Sequence, residues 1–340
     1  VKVLDVQNVN EAAQHGLTFL LNYGKEEESR NGRVLVAPTP VTTIYNRPLQ
    51  RVLFSQTRDA NPFFHLMEAL WMLAGHNDID FPARFNRRFK EYSDDGLMAW
   101  GAYGFRWREF FGYDQLAMII AELRRNPTSR RCVLAMWNGM DTGERDLDVI
   151  ENDLLTGIRG GRDVPCNTHA YFDVRGGVLN MTVCNRSNDA VWGAYGANAV
   201  HFSFLLEYMA EQIGVPVGVC RQISNNFHAY LEHYSRQKLA DIVAECAKLN
   251  LYNIYNTQSI ELMSTDPGWR ESLEGFLDGN GDQTGNYFLD RVAMPMKTAW
   301  HNYKEGDVGR AADIIRDMPD CDWQIAALGW LSKREKKNVA

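Results

Sequence analysis

The hydrophobic pattern along the chain switches between a helical and a strand period. Residues 10–24 carry apolar side chains at helical spacing and predict a short amphipathic helix. The charged run from Lys25 to Arg33 predicts a loop. Residues 62–75 predict a strongly apolar helix, with Pro62 in its first turn and Gly75 at its stop. Phe63, Met67 and Trp71 form one stripe, with Leu66, Leu70 and Leu73 beside it. Glu68 is the one acid inside this helix. A further helix is predicted over 114–125, and a strand from Arg131 to Trp137. Residues 168–184 predict a β-hairpin around Arg175-Gly176-Gly177. A long helix over about 199–213, apolar on more than one side, predicts burial. Residues 226–230 predict a strand, and from about residue 285 the pattern is helical again, with Trp323, Ala326, Ala327 and Trp330 at helical spacing. Two stretches, 139–164 and 264–286, lack apolar periodicity and predict surface insertions or mobile loops.

Apolar residues make up 45% of the 340, enough for a large core and too many for a disordered chain. The balance of 36 Lys+Arg against 43 Asp+Glu leaves −7, a charge unsuited to non-specific adhesion to nucleic acid or anionic lipid. No apolar run reaches the ~20 residues that span a bilayer. The first residues do not read as a secretory signal, so a cytoplasmic location is expected. The six cysteines (Cys132, Cys166, Cys184, Cys220, Cys246 and Cys321) form no CxxC pair, so neither a disulfide framework nor a metal site is expected.

Several positions carry candidate chemistry. Cys166 follows Pro165 just before a predicted strand, and is either a small buried hydrophobe or a thiol whose pKa nearby arginines lower. Arg186-Ser187 is either solvated surface or a grip for an oxyanion. Arg130 and Arg131 open the predicted strand, where adjacent side chains point to opposite faces and one ligand can hardly engage both. His228 and Tyr230 would share a strand face at roughly 7 Å, suited to a sugar hydroxyl or simply half-buried. Trp100, Tyr103 and Trp107 lie among glycines, as core or as a stacking surface for a planar ligand.

Taken together, the order of motifs is specific. Arg30-x-Gly32, Glu68-x-x-Trp71, Gly101-x-Tyr103-Gly104-x-x-Trp107-Arg108, Ser129-Arg130-Arg131 leading to Trp137-Asn138, Pro165-Cys166, Asn185-Arg186-Ser187-x-Asp189 and His228-x-Tyr230 resemble the thymidylate synthase superfamily, over about residues 26–235. The resemblance implies an α/β (α+β) fold, a sheet packed by helices. It implies a catalytic domain over 1–263 and a helical C-terminal extension over 264–340, in a homodimer. It implies one-carbon transfer from 5,10-methylenetetrahydrofolate, without a metal, to C5 of a pyrimidine nucleoside 5′-monophosphate. In that frame Cys166 is the nucleophile that adds to C6. Glu68 serves proton transfer at the ring, and Tyr103 and Asn167 flank the nucleophile. Arg30, Arg186 and Ser187 hold the phosphate, and Arg130 and Arg131 reach the partner subunit's phosphate. His228 and Tyr230 hold the sugar, Asn198 reads the base, and Asp189 and Trp100 contact the folate.

The departures refine the expectation. Asn167 stands where thymidylate synthases have histidine. Placing Asn198 at the base requires one inserted residue after Asp189; otherwise Ala197 takes the place. The family's closing tail is replaced by helix, which favours water over hydride as the final acceptor chemistry. The expected reaction is therefore hydroxymethylation, with cytidylate (CMP or dCMP) ahead of dUMP, and with methylation of dUMP and a non-catalytic nucleotide-binding protein as rivals.

Overall fold

The computed structural model of the chain describes residues 1–139, 152–255, 257–279 and 283–339, with side chains through residue 335. In chain order the first elements are β1 (Lys2–Val6), α1 (Val9–Tyr23), β2 (Lys25–Ser29), β3 (Gly32–Val36), β4 (Val41–Tyr45), α2 (Pro62–Ala74) and α3 (Asp80–Phe85). Then come α4 (Tyr103–Arg108), α5 (Gln115–Arg125), β5 (Val133–Ala135), α6 (Asp153–Ile158), β6 (Asn167–Arg175), β7 (Val178–Asp189), α7 (Asn198–Ile213) and β8 (Val217–Tyr230). The chain closes with α8 (Arg236–Lys248), α9 (Leu251–Tyr255), α10 (Trp269–Asp278), α11 (Met294–Lys304), α12 (Val308–Arg316) and α13 (Asp322–Val339).

The strands form one mixed sheet in the order β1-β4-β8-β7-β6-β5, with β3 also on β8 and β2 on β3. Gly176 and Gly177 both take positive φ, 61° and 79°, which closes the β6–β7 hairpin in the expected place. β7 and β8 run parallel, joined by the crossover helix α7. α7 lies against both strands, and α2 packs on α7. Every residue of α2 is buried, as is α7 from Asn198 to Ala210, so their apolar surfaces form the centre of the core. Asn61 caps α2 by accepting the Phe64 N–H, with Pro62 next in the first turn. α10, α11 and α13 pack on α2 as well. Trp300 and Trp330 reach Phe63 with ring centroids 5.6 and 5.5 Å away.

Three expectations change. Lys25–Arg33 is not a loop: β2 and β3 pair antiparallel although every residue of β2 is exposed, because β3 is anchored to β8. The stretch 264–286 contains α10, which buries Trp269, Leu273, Phe276 and Leu277. Arg130 and Arg131 precede the strand, which starts at Val133, so strand alternation does not govern them. Residues 140–151 of the predicted insertion lie outside the described residues. Its remainder includes α6, anchored by Asp153, which is buried against Arg106 with contacts of 2.6 and 2.9 Å.

Candidate active site

The site grows from the register of β7 and β8. Their parallel pairing sets Ser187 opposite Asn226 and Asp189 opposite His228, joining two motifs about forty residues apart in sequence. β3 pairs Val34 with Tyr230, so the β2–β3 turn delivers Arg30 and Asn31 to the same end of the sheet. Asn31 Nδ2 lies 3.5 Å from the Tyr230 hydroxyl, to which it donates. His228 packs edge-on against Tyr230 at 5.0 Å, and its Nδ1 lies 2.8 Å from Asn226 Oδ1. Burial pulls the His228 imidazole below its usual pKa, against the pull of Asp189.

Cys166 sits where β6 begins. The ladder is irregular between Asn167 and His169, and both Met136 and Trp137 donate their N–H groups to Thr168 O. Such an irregularity re-aims the chain at a sheet end. Arg186 grips this segment: its backbone N–H donates to Cys166 O, Nε to Pro165 O and Nη2 to Val164 O, at 2.9, 2.9 and 3.1 Å. Nη2 also comes within 3.9 Å of Cys166 Sγ. Of the two readings of Cys166, the lowered thiol pKa is the one that fails here. Burial pushes the thiol up, and the opposing pull of Arg186 and Arg30 is smaller, since both guanidiniums are exposed to water.

A cleft of about 450 Å³ opens beside Cys166's segment. Arg30, Asn31, Trp137, Arg186 and Tyr230 line it, with α6 contributing Leu154 and Ile158. Neither Arg30 nor Arg186 pairs with a carboxylate among the described residues, and the one acid of the lining, Asp153, is taken by Arg106. Arg130 and Arg131 are not brought there: both are exposed, and Arg131 acts on Glu122 of α5 instead.

Behind Cys166 lies a buried polar layer. Tyr103 lies against the backbone of Cys166 and Asn167, and its ring stacks on Phe202 of α7 at 6.0 Å. Burial raises the Tyr103 phenol far above its usual pKa, with the Cys166 thiol adding to the shift. Asn167 Nδ2 donates to Asn198 Oδ1 at 3.3 Å, and Asn198 Nδ2 donates to Asn188 Oδ1 at 3.0 Å. Of the two residues the sequence offered, Asn198 rather than Ala197 is the one that meets Asn167. A π-helical segment, Ala190–Ala197, kinked at Gly196 (φ −122°, ψ −111°), leads into Asn198. One turn further along α7, His201 Nε2 meets Glu68 Oε2 at 2.9 Å, both residues being buried. His201 Nδ1 has no hydrogen-bond partner among the described residues. Asp189 caps the π segment with Oδ1, while its buried Oδ2 has no partner among the described residues. That acceptor fits an N–H donor of a ligand.

Trp100 stands elsewhere. Its indole donates to Asp95 and packs edge-on against Phe105. Its backbone N–H and that of Gly101 donate to Asp163, three residues before Cys166. Burial pushes the Asp163 carboxyl up to about 6. Sequence reasoning missed Asp163, His201 and Asn188. His201 carried one usable signal, its position three residues after Asn198 on the same helix face.

Among the described residues there is no cluster of His, Cys, Asp and Glu able to hold a metal, and no helix long and apolar enough to cross a membrane. Comparison with known proteins gives a consistent result. Residues 16–266 match the family described as Thymidylate synthase. The deoxyuridylate hydroxymethyltransferase of Pseudomonas phage M6 is 45% identical over 98% of this chain and 95% of its own length. That of Bacillus phage SP01 is 36% identical over 60% of this chain and 52% of its own length. The crystal structure of thymidylate synthase from T4 phage superposes with a TM-score of 0.53, at 18% identity, over 66% of this chain and 78% of that one, a likeness of fold.

Proposed function

The chain belongs to the thymidylate synthase family and is a one-carbon transferase of that kind, and from this premise we propose that it hydroxymethylates C5 of deoxyuridylate. The single observation that carries the base and the product is the relative from Pseudomonas phage M6, matched over nearly the whole of both chains and named for that reaction. It moves the reading away from cytidylate, which the sequence put first, to the deoxyuridylate alternative.

The residues divide the work as follows. Arg30 and Arg186 neutralise the phosphate dianion in the cleft, with Ser187 as a further donor. His228 and Tyr230 hold the sugar hydroxyl. The Cys166 thiolate adds to C6, which makes C5 electron-rich. When bound, 5,10-methylenetetrahydrofolate supplies the one-carbon unit. Asp189 Oδ2, a buried acceptor without a partner among the described residues, suits a pterin N–H. Glu68, backed by His201, handles protons at the ring. The C5 proton is lost with release of tetrahydrofolate, water rather than hydride adds at the transferred carbon, and the C6–S bond breaks, which releases the hydroxymethyl nucleotide and restores the Cys166 thiolate.

A homodimer belongs to the same proposal. Arg130 and Arg131 are exposed and do not line their own cleft, which leaves them free for a partner subunit. Val133 and Tyr171, paired across β5 and β6, are 46% and 44% exposed and offer apolar contact nearby.

The test is to incubate the protein with methylenetetrahydrofolate and, separately, dUMP, dCMP, UMP or CMP, and to weigh the products. A gain of about 30 Da on dUMP with tetrahydrofolate is expected; about 14 Da with dihydrofolate would make the protein a methylating enzyme instead. Reaction with dCMP alone would return the reading to cytidylate.

A further inference from the structure

The buried amides beside Cys166 continue past the residues assigned to the nucleotide. Asn188 Oδ1 accepts from Asn198 Nδ2 at 3.0 Å. Asn188 Nδ2 in turn donates to Ser224 Oγ at 2.9 Å and to Gln222 Oε1 at 3.4 Å. Asn167, Asn188, Asn198, Gln222 and Ser224 are all buried. Each donor points the same way, so the chain has one polarity, from Asn167 towards β8. Space is tight as well: a Cβ on Gly193 would lie 2.6 Å from Asn188 Oδ1 and 3.4 Å from Asn198 Nδ2.

We infer that Asn188 is a specificity-determining positioning residue: by accepting from the nitrogen end of Asn198, it sets which end of that amide meets position 4 of the base. The inference rests on the proposed reading of the site as a pyrimidine nucleotide pocket in which Asn198 reads the base. One amide can serve either base. Uracil offers a donor at N3 and an acceptor at position 4; cytosine offers the reverse, and a flip of the amide exchanges the two. A carbonyl oxygen at Asn188 rejects the flipped form, because two acceptors would then face each other in a buried site. Ser224 Oγ and Gln222 Oε1 accept from Asn188 Nδ2 and so tie Asn188, as it stands, to β8.

The test compares Asn188→Leu, of similar shape but unable to accept, with Asn188→Asp, which keeps an acceptor towards Asn198. Tritium release from [5-³H]dUMP and [5-³H]dCMP gives kcat/KM for each base. In Asn188→Leu the dUMP-to-dCMP ratio is expected to fall about 10-fold or more, chiefly through KM. In Asn188→Asp it is expected to stay within about 3-fold even where turnover drops. An unchanged ratio in a folded Asn188→Leu protein overturns the inference, as does an equal fall in both variants. Should Asn188→Leu not fold, Ser224→Ala, which removes one lock on Asn188, is expected to lower the ratio by about 3-fold, and no change there counts against the inference in the same way. Absence of tritium release from dUMP in the unaltered protein would instead overturn the proposed function.

Discussion

At the scale of single residues, Cys166 and its neighbours decide reactivity. Burial holds the thiol above its usual pKa, and Arg186 opposes that shift from 3.9 Å. Removing the guanidinium in Arg186→Ala is expected to move the pH midpoint of Cys166 alkylation upward and to slow alkylation at neutral pH. A midpoint that stays or moves down would show that Arg186 does not support the thiolate. Cys166→Ser is expected to lower tritium release from [5-³H]dUMP by at least about 10³-fold while equilibrium binding of the nucleotide persists. Unchanged release would remove Cys166 from the mechanism. The Glu68–His201 pair supplies a separate prediction. The contact at 2.9 Å holds a buried carboxylate in place, and His201→Ala leaves it without that partner. A fall of about 100-fold in kcat, with little change in nucleotide KM, is expected from steady-state kinetics; a change confined to KM would assign His201 to binding. The sequence marked Glu68 because an acid inside an apolar helix is conspicuous. It did not mark His201, because a histidine on a buried helix gains meaning only from the element facing it.

At the scale of elements, helices and the hairpin followed from local periodicity, while the placement of the site depends on contacts between elements. The segment Ala190–Ala197 is one instance: its π-helical turns, kinked at Gly196, set the face on which Asn198 and His201 project from α7. The contact of α4 with α2 is another. A Cβ on Gly104 would lie 2.0 Å from Met72 O, backbone against side chain with nothing flexible to yield. Gly104→Ala is therefore expected to destabilise the protein by about 1–3 kcal/mol, read as a lower midpoint in urea unfolding. An unshifted midpoint would mean that α4 can move off α2. Misreading Lys25–Arg33 as a loop has a related cause. A strand exposed on every residue has no hydrophobic alternation, and it forms only because its neighbour is already part of the sheet.

At the scale of the whole molecule, the C-terminal helices are joined to the segment leading into α2. Arg334 pairs with Asp59 through both nitrogens at 3.0 and 3.3 Å, and Lys333 donates to Gln56 O at 2.9 Å. At the start of α13, Asp322 is fully buried and accepts from the Tyr252 hydroxyl at 2.8 Å. Burial pushes its carboxyl from an ordinary 3.8 up to about 6. The folded chain thus holds this proton more tightly than the unfolded one, and stability declines as pH rises from about 4 through about 6. The share from Asp322 is at most about 3 kcal/mol. Asp322→Asn is expected to show a smaller loss of Tm between pH 5 and pH 7 than the unaltered protein; an equal or steeper loss would show that another group controls the decline.

The sequence by itself determined the inventory of reactive residue types and their order, the buried helices α2 and α7, the β6–β7 hairpin and the helical character of the C-terminal region. Each of these is written in a local period or a short motif, and short-range sterics and burial are enough to express it. Only the tertiary structure decided that Asn198 rather than Ala197 faces Asn167, that burial outweighs the arginines at Cys166, that Arg130 and Arg131 do not line their own cleft, and that Asn188 links α7 to β8. These depend on distances and hydrogen-bond partners set by elements remote in sequence, and no local pattern carries that information.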